Sequence, residues 1–311
     1  PSATVTALVG LGNKDHSVAG NGLDASNKAD EINIQVWPTL GTYMPDGIFS
    51  YRVRGNEYIV TANEGDGREY FWDTDEDTCT GLGFEYDEDD GCLAYTDETR
   101  VEDVTLNPAS FADLSDFGVA DIDELQQEEN LGRLKMLTTE GNGGDDEYEE
   151  IHSFGARSIT IWDTAGNAVW DSGDIMEQVT AMYLPDDFNS TNDENDTFKN
   201  RSDDKGPEPE NVVVGRAFGR QYAFVGLERV GGIMVFDISD PANGRYVAYH
   251  NNRDFSAENN EDENLEGVDA GDLGPEGIAF IKAEDSPNGE PLLVVGNEVS
   301  GTTTIWQIVK D

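Results

Sequence analysis

One phrase recurs three times in this chain of 311 residues, and a phrase that recurs folds into a unit that recurs. A proline followed by a carboxylate opens one β-rich run, and a second run later ends on glutamate. The copies are YMPDGIFSYRV…YIVTANEGD (43–66), GPEPENVVVGRA…YAFVGLER (206–229) and GPEGIAFIKA…LLVVGNEVS (274–300). Their carboxylates pair as Asp46 with Glu64, Glu210 with Glu228, and Glu276 with Glu298. The first two pairs are 18 residues apart and the third 22, the turn EDSPNGEP supplying the excess. Repeated sheets of this kind predict an all-β chain of β-propeller type, with one copy per sheet. Matched strand ends then bring the acidic groups together over a common channel.

Around the repeats, TVTALVGL (4–11) alternates as a strand does, and 12–42 reads as a long loop. Residues 43–64 form a hairpin turning at Arg54-Gly55-Asn56. Residues 65–130 are an insertion. Its first half is an acidic loop with two cysteines, and its second half carries helix starts at Asn107-Pro108 and over Asp121 to Glu129. Residues 131–139 return to strand. GNGGDDE (141–147) reads as a turn. A hairpin at 155–174 turns at Ala165-Gly166-Asn167 and is assigned to a sheet of its own. Four strands follow within 206–250 and three within 274–309. The expectation is a single domain over 1–311 with about four blades, acidic loop insertions and short helices. Either the leading strand completes the last sheet and closes a small ring, or the chain is the C-terminal part of a larger one. In the second case other copies or chains cover the open edges.

The formal net charge is −46, from 65 acidic and 19 basic residues. Such a surface repels phosphate backbones, which excludes nucleic-acid binding, and disfavours anionic membranes. It suits a salty medium, halophilic or marine, where ions screen self-repulsion, or the capture of divalent cations. No apolar run reaches the roughly 18 residues of a membrane span. The start at Pro1, with no signal peptide, predicts a processed chain or a fragment. Cys79 and Cys92, 13 positions apart, are expected to form a disulfide in an oxidising, external compartment; two free thiols are the alternative.

The strings GNKDHSVAGNGLDASNKADEINIQVWP, MPDGIFSYRV, VTANEGDGREY, GARSITIWD, DDKGPEPENV, FVGLERVGGIMVFDIS, GDLGPEGIAFI and LLVVGNEVSGTTTIW resemble the bacterial choice-of-anchor I proteins. Those in turn resemble the mesenchyme-specific cell-surface glycoproteins of echinoderms, and some bear an alkaline phosphatase label. The resemblance runs from about residue 10 to the C-terminus and is broken by the cysteine insertion at 71–95. It implies an exported, surface-anchored protein, a propeller of seven or so blades, and further blades before residue 4.

Three acidic clusters are candidate cation sites. The first is the repeat ring: Asp46, Glu64, Glu210, Glu228, Glu276 and Glu298, with Asn63 and Asn297 offering amide oxygens. Carboxylate and amide oxygens together suit Ca²⁺. The competing arrangement pairs the glutamates with Arg68, four residues after Glu64, or with Arg229, next to Glu228. The second cluster is Asp193, Asn195 and Asp196 with Asp203 and Asp204, without the EF-hand pattern. The third, in the insertion, is Asp73, Asp75 and Asp77 with Asp87, Asp89 and Asp90. Catalytic motifs are lacking: there is no GxSxG elbow, no Walker loop, and only three isolated histidines, His16, His152 and His250. A secreted Ca²⁺-binding surface protein acting by binding or assembly is therefore expected. The alternative is a metal-dependent phosphomonoesterase, phytase-like, with its site over the channel and Arg52, Arg68, Arg157 and Arg229 as phosphate partners.

Overall fold

The computed structural model describes residues 4–88, 90–144 and 146–310. The chain is all-β, in several small sheets with a few short helices. The three repeats seed three sheets, not four. Sheet I comprises Ile48–Val53, Asn56–Asn63, Ser158–Asp163 and Ala168–Asp171. Sheet II comprises Pro209–Ala217, Arg220–Leu227, Ile233–Asp237 and Arg245–His250. Sheet III has Pro275–Ile281, Leu292–Asn297 and Thr302–Gln307. The hairpin expected to stand in its own sheet instead pairs antiparallel with the first repeat, Ser158 opposite Asn63 and Asp163 opposite Tyr58. The long insertion thus leaves and re-enters a single sheet.

Sheet II lies between the other two, and the period of two sorts its side chains. Val212, Ala223, Val225, Met234 and Phe236 join Val60, Ala62, Ile159 and Ile161 of sheet I in one core. Val213, Phe224 and Ile233 join Leu293 and Val295 of sheet III in another. A helix that sequence patterning did not reveal, Ile175–Tyr183, adds Met176 and Val179 to the first core.

The leading segment 4–11 is not a strand. It pairs with nothing, Leu8 is 98% exposed, and sheet III keeps three strands. Alternation alone does not make a strand without an edge to bond to. Residues 12–42 are less irregular than expected. Asn13–Asp15 and Thr39–Thr42 pair, and a five-stranded sheet continues through Ile151–Phe154, Lys135–Leu137 and Glu98–Arg100. The second half of the insertion packs with residues before and after it in a separate core around Trp37, Leu125, Leu131, Leu134 and Met136. No helix starts at Asn107-Pro108. A single turn, Ile122–Leu125, forms with Asp121 capping the Glu124 amide.

The cysteines are joined, Cys79 to Cys92. They tie the turn of helix Glu76–Gly81 to a three-stranded sheet of Glu69–Trp72, Glu85–Asp87 and Gly91–Thr96, where a structureless loop was expected.

Candidate functional site

The same backbone closure recurs where each repeat begins. The Asp46 amide donates to the Ala62 carbonyl and Gly65 to Met44; Glu228 donates to Glu208; Glu298 donates to Gly274. Each carboxylate-bearing entry is thereby tied to the end of its neighbouring strand. In sheets II and III the register shifts at this point, between Pro209 and Val212 and between Pro275 and Gly277. Glu210 and Glu276 sit in those irregularities, which re-aim side chains off the regular alternation. Gly47 lets sheets I and II approach: a Cβ there would lie 2.8 Å from the Glu210 carbonyl oxygen.

The repeat carboxylates meet. Asp46, Glu64 and Glu210 bring oxygens within 4.8 Å of one another, and Glu64 does the same with Glu208 and Glu228. Glu276 is held against Glu298 and feels Asp46 and Glu64. The two triads differ in their cations. Lys205 Nζ stands 2.9 Å from Glu64, 3.2 Å from Asp66 and 3.4 Å from Glu208. Glu208 also meets Arg201 at 2.8 Å and Arg229 at 3.1 Å, while Glu228 meets Arg229 at 3.3 Å and accepts from Asn192. The Glu208–Glu228 side is therefore an ion-pair network. The Asp46–Glu210 side borrows only Lys205, through Glu64.

The acidities follow. Burial pushes Glu210 up to about 10, reinforced by Glu64 and Asp46 at hydrogen-bond range. Burial also raises Glu64, against the pull of Lys205. Burial takes Glu228 to about 7, with Arg229 opposing. Glu276 rises chiefly through its hydrogen bond with Glu298. Two carboxyls in such contact must share a proton or a cation.

Arg68 is not the partner of Glu64; it pairs with Asp97 at 2.6 Å. The neutral oxygens lie elsewhere too. Asn63 points into sheet I, donating to Ser158 and Thr160 and accepting from Thr61. Asn297 donates to Thr302. Strand alternation explains both, because the residue preceding a glutamate faces the opposite side.

Most side chains of the second cluster have partners within the chain. The Asn195 amide oxygen accepts twice from Arg253, and its nitrogen donates to the Asp254 and Ala257 carbonyls. Asp193 accepts from Thr191, Asp203 pairs with Arg100, and Asp204 pairs with Arg201 and Lys135. Asp196, in the left-handed region at φ 62°, shares in no grouping of metal-ligand side chains among the described residues. In the third cluster Asp75 caps its helix and Asp87 accepts from the Asp90 amide. Asp89 lies outside the described residues. Lys205, Glu208, Arg201 and Asn192 were not singled out by sequence. Lys205 and Glu208 flank Gly206-Pro207 at the head of the second repeat, a signal that was available.

The family model for the choice-of-anchor I domain matches residues 1–241. The chain belongs to the choice-of-anchor I family. Two relatives fit beside it. Gigasin-3a of Magallana gigas is 31% identical over 194 residues, covering 60% of this chain and 68% of that one. The mesenchyme-specific cell surface glycoprotein of Strongylocentrotus purpuratus is 28% identical over 242 residues, 72% of this chain but only 29% of the glycoprotein. This choice-of-anchor I chain thus spans less than a third of the latter. No helix among its described residues is long and apolar enough to cross a membrane.

Proposed function

We propose that this chain is a binding protein of the cell surface or extracellular space that holds Ca²⁺ between its sheets, those sheets being successive sectors of a propeller. The surface location draws on the family and on the glycoprotein's printed name. The disulfide fits an oxidising compartment. One observation carries the cation: Glu210 is buried against Glu64 and Asp46 with no basic partner of its own among the described residues. The residues fit a hard cation. An ion touching each oxygen at about 2.4 Å bridges oxygens about 4.8 Å apart, and Ca²⁺ accepts six to eight such ligands. Asp46, Glu64 and Glu210 would supply the first three, with Glu276 adjacent. Glu228 belongs to the arginine-paired side and is not a ligand in this reading.

Bound Ca²⁺ would cross-link the entries of sheets I and II, making binding and stability one property. The last strand, Thr302–Gln307, pairs on one side only, which gives assembly with other copies a place to act. No specific observation favours the phosphomonoesterase alternative. Calorimetric titration with Ca²⁺, repeated on Glu210→Gln, tests the proposal. Heat and a raised melting temperature in the parent, both strongly reduced in the variant, support it. Equal responses, or none in either protein, overturn it.

A further inference from the structure

The disulfide-tied unit at 69–96 carries an aromatic face that the rest of the described chain leaves open. Tyr70, Trp72, Phe84 and Tyr95 are 60%, 43%, 44% and 42% exposed. Tyr70 and Trp72 share one side of the strand Glu69–Trp72. Tyr95 stands opposite Tyr70 across the ladder, with ring centroids 5.7 Å apart and planes tilted by 44°. Scattered exposed rings are ordinary, but several on one three-stranded unit form a patch.

Along this unit itself the charge is one-sided, and Lys135, the lysine near Glu69, is paired with Glu98 and Asp204. No Lys, Arg or His occurs from 69 to 99, whereas Glu69, Asp73, Glu76, Asp77, Glu85 and Asp90 are all exposed. Here the guanidinium beside the tyrosine pair, that of Arg68, is already committed to Asp97.

We propose that this face docks a lysine- or arginine-rich polypeptide segment. Aromatic rings attract ammonium and guanidinium groups over their faces and take the apolar stems of the same side chains. The surrounding carboxylates pair with the remaining positive charge and speed encounter. Charge complementarity selects this partner over a neutral sugar, which would use the rings and donate hydroxyls to the acids but leave their charge uncompensated. The Cys79–Cys92 bond and the Asp75 cap hold the face before a partner arrives, which lowers the ordering cost of binding. The inference is independent of any ion at Glu210.

The test uses the full chain and a short labelled peptide of alternating arginine and glycine, with a serine–glycine control, followed by fluorescence anisotropy at physiological salt. The variant Tyr70→Ser/Trp72→Ser/Tyr95→Ser keeps every charge and is expected to bind the arginine peptide about tenfold more weakly. Binding equal to the parent's means general attraction to an acidic surface and overturns the proposal. So does a parent that ignores the arginine peptide and binds a neutral oligosaccharide through the same rings. A second variant, Asp73→Asn/Glu85→Gln, leaves the rings in place. It is expected to weaken binding severalfold and flatten its salt dependence; no change there also refutes the docking face.

Discussion

Glu210→Gln removes a charge while keeping the shape of the side chain, and the direction of its effect depends on what fills the hollow. Glu210 is raised from 4.5 to about 10 in the folded chain. The unfolded chain releases this proton first, so the stability it contributes is full below about pH 4.5 and is lost as pH rises toward 10. The loss accumulates at about 1.4 kcal/mol per pH unit, about 3 kcal/mol at neutrality before screening. Solvent screening and relaxation of the neighbouring carboxyls reduce this to about 1–2 kcal/mol. In chelator near pH 7, Glu210→Gln should therefore be the more stable protein by about 1–2 kcal/mol, or roughly 2–6 °C in melting temperature. Near pH 4 the two should coincide. If the proposed site binds Ca²⁺, the order should reverse: at a hundredfold excess over Kd the parent would gain about 2.7 kcal/mol, and the variant, with a weaker oxygen donor, less. Urea titrations at both pH values, with chelator and with Ca²⁺, read all four cases. A parent more stable than Glu210→Gln in chelator near pH 8 would refute the reasoning, because the carboxyl would then not be crowded.

Three further outcomes follow from the same geometry. Lys205→Met leaves Glu64 and Glu208 without a shared cation and should cost about 3–5 kcal/mol by urea denaturation, partly recovered by excess Ca²⁺. Gly155→Ala places a Cβ against the Glu64 carbonyl oxygen, at a residue whose φ is 68°; a loss of about 3 kcal/mol or more and weaker Ca²⁺ heat are expected in calorimetry. Cys79→Ser/Cys92→Ser should remove about 3 kcal/mol from the 69–96 unit alone. Limited proteolysis should then cut within that unit while the main thermal transition stays in place.

Sheet II was the most legible because its first three strands each serve two cores at once. Val212 and Val213 face opposite partners, and so do Val225 and Phe224, which leaves long apolar runs between turn residues. Sheet I was half legible. Pattern identified both of its hairpins, but nothing local records that Asn63 meets Ser158 across a long insertion. The carboxylate convergence was readable from the repeat alone, whereas the cations were not. Arg68 is four residues from Glu64 in sequence, yet Gly65, at φ 86°, helps turn the chain away and Arg68 reaches Asp97. Lys205 comes to the same carboxylate from 141 residues away. Proximity along the chain is a poor guide to ion pairs wherever a glycine turn intervenes.

The scarcity of basic residues acquires a physical meaning once their positions are known. Of seven lysines, Lys14, Lys199 and Lys205 are buried, at 3%, 1% and 6% exposure, as are Arg157 and Arg253 at 4% and 7%. Lys205 serves the carboxylates of Glu64, Asp66 and Glu208, and the other four collect backbone carbonyls from loops that have little apolar material to fold around. Lys14 donates to Ala156 and Gly173, and Lys199 to Ala29 and Glu31. Arg157 reaches Asp24, Ser202 and Asp204, and Arg253 reaches Thr191, Arg229 and Glu194. Charge-assisted bonds of this kind do the work that a hydrophobic core does elsewhere. Cations held inside cannot neutralise the outside, so the excess negative charge is displaced to the surface and to the hollow between the sheets. The ion-pair network stops at Glu208 and Glu228, and Glu210 lies one step beyond it, where a shared proton or, under the proposal above, a diffusible cation would supply the positive charge.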